Sequence, residues 1–152
     1  MLIDKDQIRA IIPHAGSMCV LDEVLEWNEN SVLCQTRSHL LSDNPLRCKA
    51  GLSAIQGIEY GMQSMAVHGG LLARQKNETA PPGFAAALRD IRLNTEWLHD
   101  IDAALLVSAK ALVIDAGSYI YQFEIKDNER ILVQGRATIM SQLGSKTWRE
   151  PW

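Results

Sequence analysis

The sequence contains few of the residues that cross-link small proteins or hold structural metals. It has three cysteines, widely separated and without a Cys-x-x-Cys pair, and its four histidines show no His-x-x-x-His spacing. An odd number of scattered cysteines argues against a disulfide framework, and structural zinc sites need closely spaced Cys or His ligands. We therefore expect no disulfides and no metal site, and a reducing cytoplasm as the compartment.

The chain also lacks an excess of positive charge and a targeting segment. Its formal net charge is −3 at pH 7, so no general attraction to nucleic acid or to anionic lipid is expected. Its first residues contain no basic stretch followed by a long apolar run, and no signal peptide is predicted. These absences predict a cytoplasmic protein that binds neither nucleic acid nor membrane.

The residues that are present fit one globular domain covering 1–152, with 47% hydrophobic and 22% charged side chains. Apolar periodicity and turn residues predict a short helix at 4–12, one long helix within 51–73, and strands at 18–27, 31–38, 84–94, 104–114, 118–125 and 130–140. Strands on both sides of one long helix predict an α+β fold, in which a curved antiparallel sheet wraps around a central helix.

The apolar segment 51–73 is long enough to cross a membrane. Its glutamines, its glutamate, its histidine and its glycines argue against that interpretation. Within it, Glu59 is the only charged residue apart from the titratable His68. A solvated helix normally carries more charge, so we expect this helix to be largely buried.

Three polar residues form a narrow stripe on this helix. At about 100° per residue, Gln56, Glu59 and Gln63 lie within about 60° of one another. Gly57 and Gly61 lie on the opposite arc, where small residues allow a sheet to come close. The stripe is either the solvent edge of the helix or the lining of a cleft or subunit interface. In the second case Glu59 is a general acid or base and Gln63, four residues later, orients it; the lack of Lys and Arg favours this case.

The start of the helix is marked by Ser53. Gln56 follows it three residues later, which is the spacing of a capping box. The backbone amides of Ala54 and Ile55 are then expected in the first turn of the helix, where amides lack partners within the helix.

Two stretches resemble a known family. Residues 57–63 (GIEYGMQ) resemble the helix motif of the hotdog-fold 3-hydroxyacyl-(acyl carrier protein) dehydratases, the FabZ/FabA group, in which a Glu is followed four residues later by a Gln. Residues 12–24 (IPHAGSMCVLDEV) are similar to the Pro-His entry into the family's first strand. Together with His39, NPLR at 44–47 and AVHG at 66–69, they are most similar to the ApeP-type dehydratases of aryl polyene clusters.

The resemblance implies a hotdog fold and a dehydration reaction. A 3-hydroxyacyl thioester on the phosphopantetheine arm of acyl carrier protein would lose water to give the trans-2-enoyl thioester, in fatty acid or aryl polyene biosynthesis, without a metal or redox cofactor. Glu59 corresponds to the acid that protonates the departing hydroxyl. The Ala54 and Ile55 amides lie where the family holds the thioester carbonyl oxygen, and Gln63 belongs to the same substrate-binding region.

The family's base is a histidine, which this sequence lacks at the corresponding place. The group carries it in a Gly-His-Phe-Pro stretch upstream of the Glu, whereas here the matching residues are 44–46, Asn-Pro-Leu. His14 is the candidate base within the chain, although a loop histidine bonded to the backbone is an equally good interpretation. His39 could serve only if its loop folds back. His68 is expected on the opposite side of the helix from the carboxylate, and His99 at the surface.

In the resembled family each site takes its two catalytic groups from two subunits, so a partner could supply the histidine. We therefore expect a homodimer, or a heterodimer with a second hotdog dehydratase subunit. Two alternatives remain. One is a hotdog acyl thioesterase, in which the acid activates water or attacks the thioester, and the other is a non-catalytic subunit supporting an active partner.

An acidic carrier protein needs a local basic patch for docking. The candidates are Arg47, Lys49, Arg74, Arg89 and Arg92.

Overall fold

A computed structural model describes residues 2–81, 83–115 and 117–141 of the chain. The predicted first helix is present as α1, Lys5–Ile11. Asp4 caps it reciprocally with Gln7, because the Asp4 carboxylate accepts from the Gln7 backbone N–H and the Gln7 side chain accepts from the Asp4 N–H, both at 2.9 Å. A 3-10 helix, Pro13–Met18, follows directly.

Within the described residues, six strands form one antiparallel sheet. They are β1 Glu23–Trp27, β2 Ser31–Thr36, β3 Gly83–Leu93, β4 Leu105–Asp115, β5 Ser118–Lys126 and β6 Ile131–Ser141. Their order across the sheet is β1-β2-β4-β5-β6-β3. The later strands lie within one or two residues of their predicted bounds. The first begins at Glu23 instead of residue 18, because the chain turns through the 3-10 helix before it extends.

The long helix, α2, spans Gly57–Gln75 and is preceded by a 3-10 turn, Ala54–Gln56. Ser53 caps that turn, with its hydroxyl accepting from the Ile55 N–H. The predicted capping box is not formed among the described residues, since no Gln56 side-chain bond back to Ser53 is present. The helix packs against β2, β4, β5 and β6. A sheet enclosing a central helix is the hotdog arrangement that the sequence predicts. Within the described residues, neither helix combines the length and apolar character that crossing a membrane requires.

Alternate residues of the central strands point inward and make the core. On β5 these are Tyr121, Phe123 and Ile125, all buried. Of the three cysteines, Cys19 and Cys34 are also buried thiols. Burial raises the pKa of Cys34 to about 12, with a smaller contribution from Cys19, so this thiol stays neutral and serves as a small core residue.

Glycines allow α2 to approach the sheet, as the sequence predicts. A Cβ atom at Gly61 would lie 2.5 Å from Phe123 Cδ2, and one at Gly57 would lie 2.9 Å from Val133 Cγ2. A Cβ atom at Gly135, on β6, would lie 3.0 Å from Phe123 Cε1. The Phe123 ring thus fills space that side chains at two glycines would otherwise occupy.

We predict that Gly61→Ala lowers the free energy of unfolding by about 1–3 kcal/mol, because the added methyl group would overlap the Phe123 ring in a packed core. Gly69→Ala is the matched control on the same helix, since a Cβ atom there meets nothing within 4 Å. It should stabilise the protein by up to about 1 kcal/mol through helix propensity. Urea unfolding followed by circular dichroism measures both changes. Equal effects of the two substitutions would show that helix and sheet separate without cost.

Candidate active site

Glu59 lies in the first turn of α2 and is half-buried. The sequence predicts a largely buried helix, so this side chain is more exposed than expected. Its Oε1 atom accepts a hydrogen bond from Gln63 Nε2 at 3.1 Å. No other hydrogen bond or ion pair to this carboxyl group occurs among the described residues. Its one hydrogen-bond partner is thus a neutral amide, and no Lys or Arg of the described residues pairs with it.

Gln63 is almost completely buried, with 4% of its surface exposed. Its Oε1 atom accepts from the Val20 N–H at 2.9 Å, and its Nε2 atom donates to the Met18 carbonyl oxygen at 2.8 Å. The predicted neighbour of Glu59 at i+4 therefore also binds α2 to the segment that follows the 3-10 helix Pro13–Met18. His14 lies within that helix, but its side chain falls outside the described part of the structure.

The residues that replace the family's histidine stretch are held by an asparagine. Asn44 is buried, and its Nδ2 atom donates to the Tyr60 hydroxyl and to the Ser38 carbonyl oxygen, both at 2.9 Å. Its Oδ1 atom accepts from the Leu46 N–H at 2.9 Å. Burial raises the pKa of Tyr60, although the hydrogen bonds from Ser38 and Asn44 oppose the shift. Asn44, Tyr60 and Ser38 therefore form a network of neutral side chains that holds the fold. Sequence reasoning did not find it, because its contacts join residues far apart in the chain.

His39 is not available as a base. It lies in a short 3-10 helix, Ser38–Leu40, and is fully buried. Its Nε2 atom lies 2.8 Å from the Ile101 carbonyl oxygen, and its Nδ1 atom makes no hydrogen bond to any described residue. Burial lowers the pKa of His39, with the hydrogen bond to Ile101 opposing the shift. The neutral ring with Nε2–H donating to Ile101 is thus the favoured form.

His68 is packed and hydrogen-bonded, as its place on the helix predicts. It is buried, with Nδ1 2.8 Å from the Tyr121 hydroxyl and Nε2 2.9 Å from the Asn28 carbonyl oxygen. Because a carbonyl oxygen only accepts, Nε2 carries the proton and Nδ1 accepts from the tyrosine. Burial lowers the pKa of His68, and the bond to Asn28 opposes the shift.

The expectation that His99 is a surface residue is wrong. Its ring is half-buried and covers Gly51, where a Cβ atom would collide with it. Its Nδ1 atom accepts from the Leu52 N–H at 2.9 Å. Gly51 has a φ of +125°, which glycine adopts far more readily than other residues. His99 therefore holds the loop that leads into α2, and the pattern around it gave no sign of this contact.

The two amides predicted to bind a thioester oxygen differ in their availability. The Ala54 N–H already donates to the Glu96 carbonyl oxygen at 2.9 Å. Among the described residues, the one partner of the Ile55 N–H is the Ser53 hydroxyl, at the long distance of 3.4 Å. Ile55 is also exposed at the helix start. Of the pair, Ile55 is thus the amide that a ligand could reach with the smaller loss of existing hydrogen bonding.

The basic candidates are distributed over several elements. Arg47 and Lys49 lie in the loop between β2 and α2, Arg74 lies at the end of α2, and Arg89 and Arg92 lie on β3. One of them is already engaged, because Arg47 Nη1 donates to the Leu41 carbonyl oxygen at 3.3 Å. In the described part of the chain, no three His, Cys, Asp or Glu side chains are placed to hold a metal ion.

The buried histidines predict a loss of stability in acid. Both have a lowered pKa in the folded state, so the unfolded chain takes up protons first as the pH falls through about 6.5. The free energy of unfolding should then decrease as the pH falls below this value and continue to fall until the folded-state pKa is reached. The slope is at most about 1.4 kcal/mol per pH unit for each histidine.

The variant that tests this is His39→Gln, whose amide nitrogen can still donate to the Ile101 carbonyl oxygen. Denaturant unfolding at a series of pH values should show a smaller pH dependence in this variant than in the wild type. An unchanged dependence would mean that His39 does not resist protonation in the fold.

The sequence matches the ApeP-like family, described as ApeP dehydratase, over residues 6–147. No curated protein matches it. The structure is similar to the dehydratase heterocomplex ApeI:P from Xenorhabdus doucetiae, with a TM-score of 0.79 and 22% identity, covering 88% of this chain and 90% of that one.

The structure is also similar to mutants of two thioesterases. One is SAV0944 from Staphylococcus aureus subsp. aureus Mu50, with a TM-score of 0.60, 12% identity, and coverage of 78% of this chain and 90% of that one. The other is PA1618 from Pseudomonas aeruginosa, with a TM-score of 0.59, 9% identity, and coverage of 92% and 94%. At such low identities the likenesses show the fold alone.

The family match extends from α1 through the end of β6, so it includes every element that builds the Glu59 site. The fold seen in the structure agrees with it. The chain therefore belongs to the ApeP-like dehydratase family.

Proposed function

We propose that the chain is a subunit of a dehydratase that converts a 3-hydroxyacyl thioester on acyl carrier protein to the trans-2-enoyl thioester, with Glu59 as its general acid. The observation that carries this proposal is the half-buried Glu59 carboxyl group, held through Oε1 by a neutral amide and otherwise without a partner among the described residues. The family supports a dehydratase. That the substrate is carried by acyl carrier protein rests on the sequence resemblance.

The reaction needs two proton transfers and no change of oxidation state. A base removes the proton from the carbon next to the thioester carbonyl, and the electron pair of that C–H bond becomes the new carbon–carbon double bond. The C–O bond to the hydroxyl breaks as Glu59 gives that oxygen a proton, so water leaves. The Ile55 N–H would hold the carbonyl oxygen while negative charge develops on it. Such chemistry requires neither a metal nor a redox cofactor.

The base is proposed to come from a second hotdog subunit. His39, His68 and His99 are engaged within the fold, and the loop at 44–46 is anchored by a buried asparagine. This leaves His14 as the candidate base within the chain. A structurally similar protein is the ApeI:P dehydratase heterocomplex, which supports a heterodimer over a homodimer.

The sheet offers a surface for such a partner. Strand β3 lies at the end of the strand order, and β6 is its one neighbour among the described strands. Three large apolar side chains on it, Phe84, Leu88 and Leu93, are exposed. An unpaired edge with apolar side chains is a place where another chain can add, and we propose it as the contact with the second subunit.

We predict that the chain alone is inactive and that its complex with a histidine-bearing hotdog partner dehydrates a 3-hydroxyacyl carrier protein. In that complex Glu59→Gln should lower the rate at least about 10²-fold, because a general acid contributes about 10²–10⁴-fold. Glu26→Gln, an exposed carboxyl group on β1, is the control and should leave the rate unchanged. Formation of the conjugated enoyl thioester is followed by ultraviolet absorbance and mass spectrometry.

Three outcomes would contradict parts of this assignment. Turnover by the chain alone that His14→Ala abolishes would place the base in this chain and end the borrowed-histidine proposal. Release of free thiol without enoyl product would make the protein a thioesterase, like the structurally similar SAV0944 and PA1618. A complex that keeps its rate with Glu59→Gln would make the chain a supporting subunit.

A further inference from the structure

The amide group of Gln63 can take only one orientation. The Val20 N–H is a donor and must face the amide oxygen, which it does at 2.9 Å. The Met18 carbonyl oxygen is an acceptor and must face the amide nitrogen, which it does at 2.8 Å. A rotation of the amide by 180° would place oxygen against oxygen and nitrogen against N–H in a nearly fully buried site, where unsatisfied polar groups are strongly unfavourable.

The backbone that imposes this orientation is itself held on its other side. The Val20 carbonyl oxygen accepts from Thr36 Oγ1 at 2.5 Å and from Ser38 Oγ at 2.6 Å. Ser38 Oγ also lies 2.8 Å from the hydroxyl of Tyr60, which is the next residue after Glu59 on α2. The helix thus holds the Val20 peptide group directly through Gln63 and indirectly through Tyr60.

With one amide hydrogen committed to Met18, the second points to Glu59 Oε1 at 3.1 Å. We propose that Gln63 is a positioning residue locked as a hydrogen-bond donor, so that Glu59 exchanges its catalytic proton through Oε2 alone. This inference rests on the proposed function for the catalytic step, but the locked orientation itself does not. Among the described residues, Glu59 is the only ionisable side chain that is hydrogen-bonded to this amide.

The two oxygen atoms of Glu59 have different parts in the proposed proton transfer. In the acid form the proton is on Oε2, because Oε1 already accepts from Gln63. When the C–O bond of the substrate breaks, this proton passes to the departing oxygen and the carboxyl group becomes a carboxylate. The Gln63 N–H then stabilises the new charge at Oε1, since hydrogen bonds to the charged form favour it. The proton lost is regained at Oε2 before the next turnover.

The orientation is tested without substrate by Gln63→Glu and Gln63→Met. The introduced carboxyl group can still accept from Val20, but its second oxygen would face two acceptors, Met18 O and Glu59 Oε1. Its pKa should therefore be raised in the folded state, and the variant should lose stability as the pH rises from about 4 to about 8. We expect the gap in denaturation midpoint between wild type and Gln63→Glu to widen over this range. Gln63→Met also leaves the Val20 N–H and the Met18 carbonyl oxygen without this partner, but it introduces no titratable group. Its loss of stability should therefore change much less with pH.

A Gln63→Glu protein as stable as the wild type at about pH 8 would overturn the locked orientation, because the site would then tolerate a hydrogen-bond acceptor where a donor is proposed.

In the active complex, Gln63→Met should lower kcat by about 10²-fold, as a misplaced catalytic group does, and leave KM unchanged. Gln122→Met on β5 is the control. An unchanged kcat in an active Gln63→Met complex would remove the positioning role. If the wild-type complex shows no dehydration, the proposed function fails, while the stability measurements still decide the orientation.

Discussion

The separation between α2 and the sheet is set by the contact of Gly61 with the Phe123 ring. Because a Cβ atom at Gly61 would lie 2.5 Å from that ring, any larger residue would push the helix outward. The position of Glu59, two residues earlier on the same helix, follows from this separation. So does the reach of Gln63 to the Met18–Val20 backbone. The polar site is therefore positioned by an apolar contact in the core.

Three histidines of this chain, His39, His68 and His99, stabilise the fold through their hydrogen bonds. His39 and His68 are buried, with carbonyl oxygens as partners and a lowered pKa. His99 accepts a backbone N–H and covers a glycine. A catalytic base needs a nitrogen that faces its substrate, and none of these three rings offers one. Under the proposed function, the acid on Glu59 and the base therefore come from two chains.

Much of the architecture follows from local patterns in the sequence. Strands β2 and β5 alternate between buried and partly exposed residues, and α2 is marked by its length, by the cap at Ser53 on the turn before it and by its shortage of charge. The 3-10 helix at Pro13–Met18 could not be separated from a strand entry by pattern. The hydrogen bonds of Gln63 to Val20 and Met18 join residues 43 and 45 positions apart, and no local periodicity reports such contacts. The expected surface position of His99 failed for the same reason, since its role depends on the unusual backbone of Gly51.

The network of Asn44 bears on how easily this chain could become self-sufficient. Its side chain joins Tyr60, Ser38 and Leu46 inside the core, in the stretch where the resembled enzymes carry a histidine. Placing an imidazole there would first remove these hydrogen bonds and leave the tyrosine hydroxyl with fewer partners. Under the proposed division of labour, a change that introduced the histidine into this chain would therefore first cost stability. Selection for a stable fold would then be enough to keep the chain dependent on a partner, without selection on catalysis.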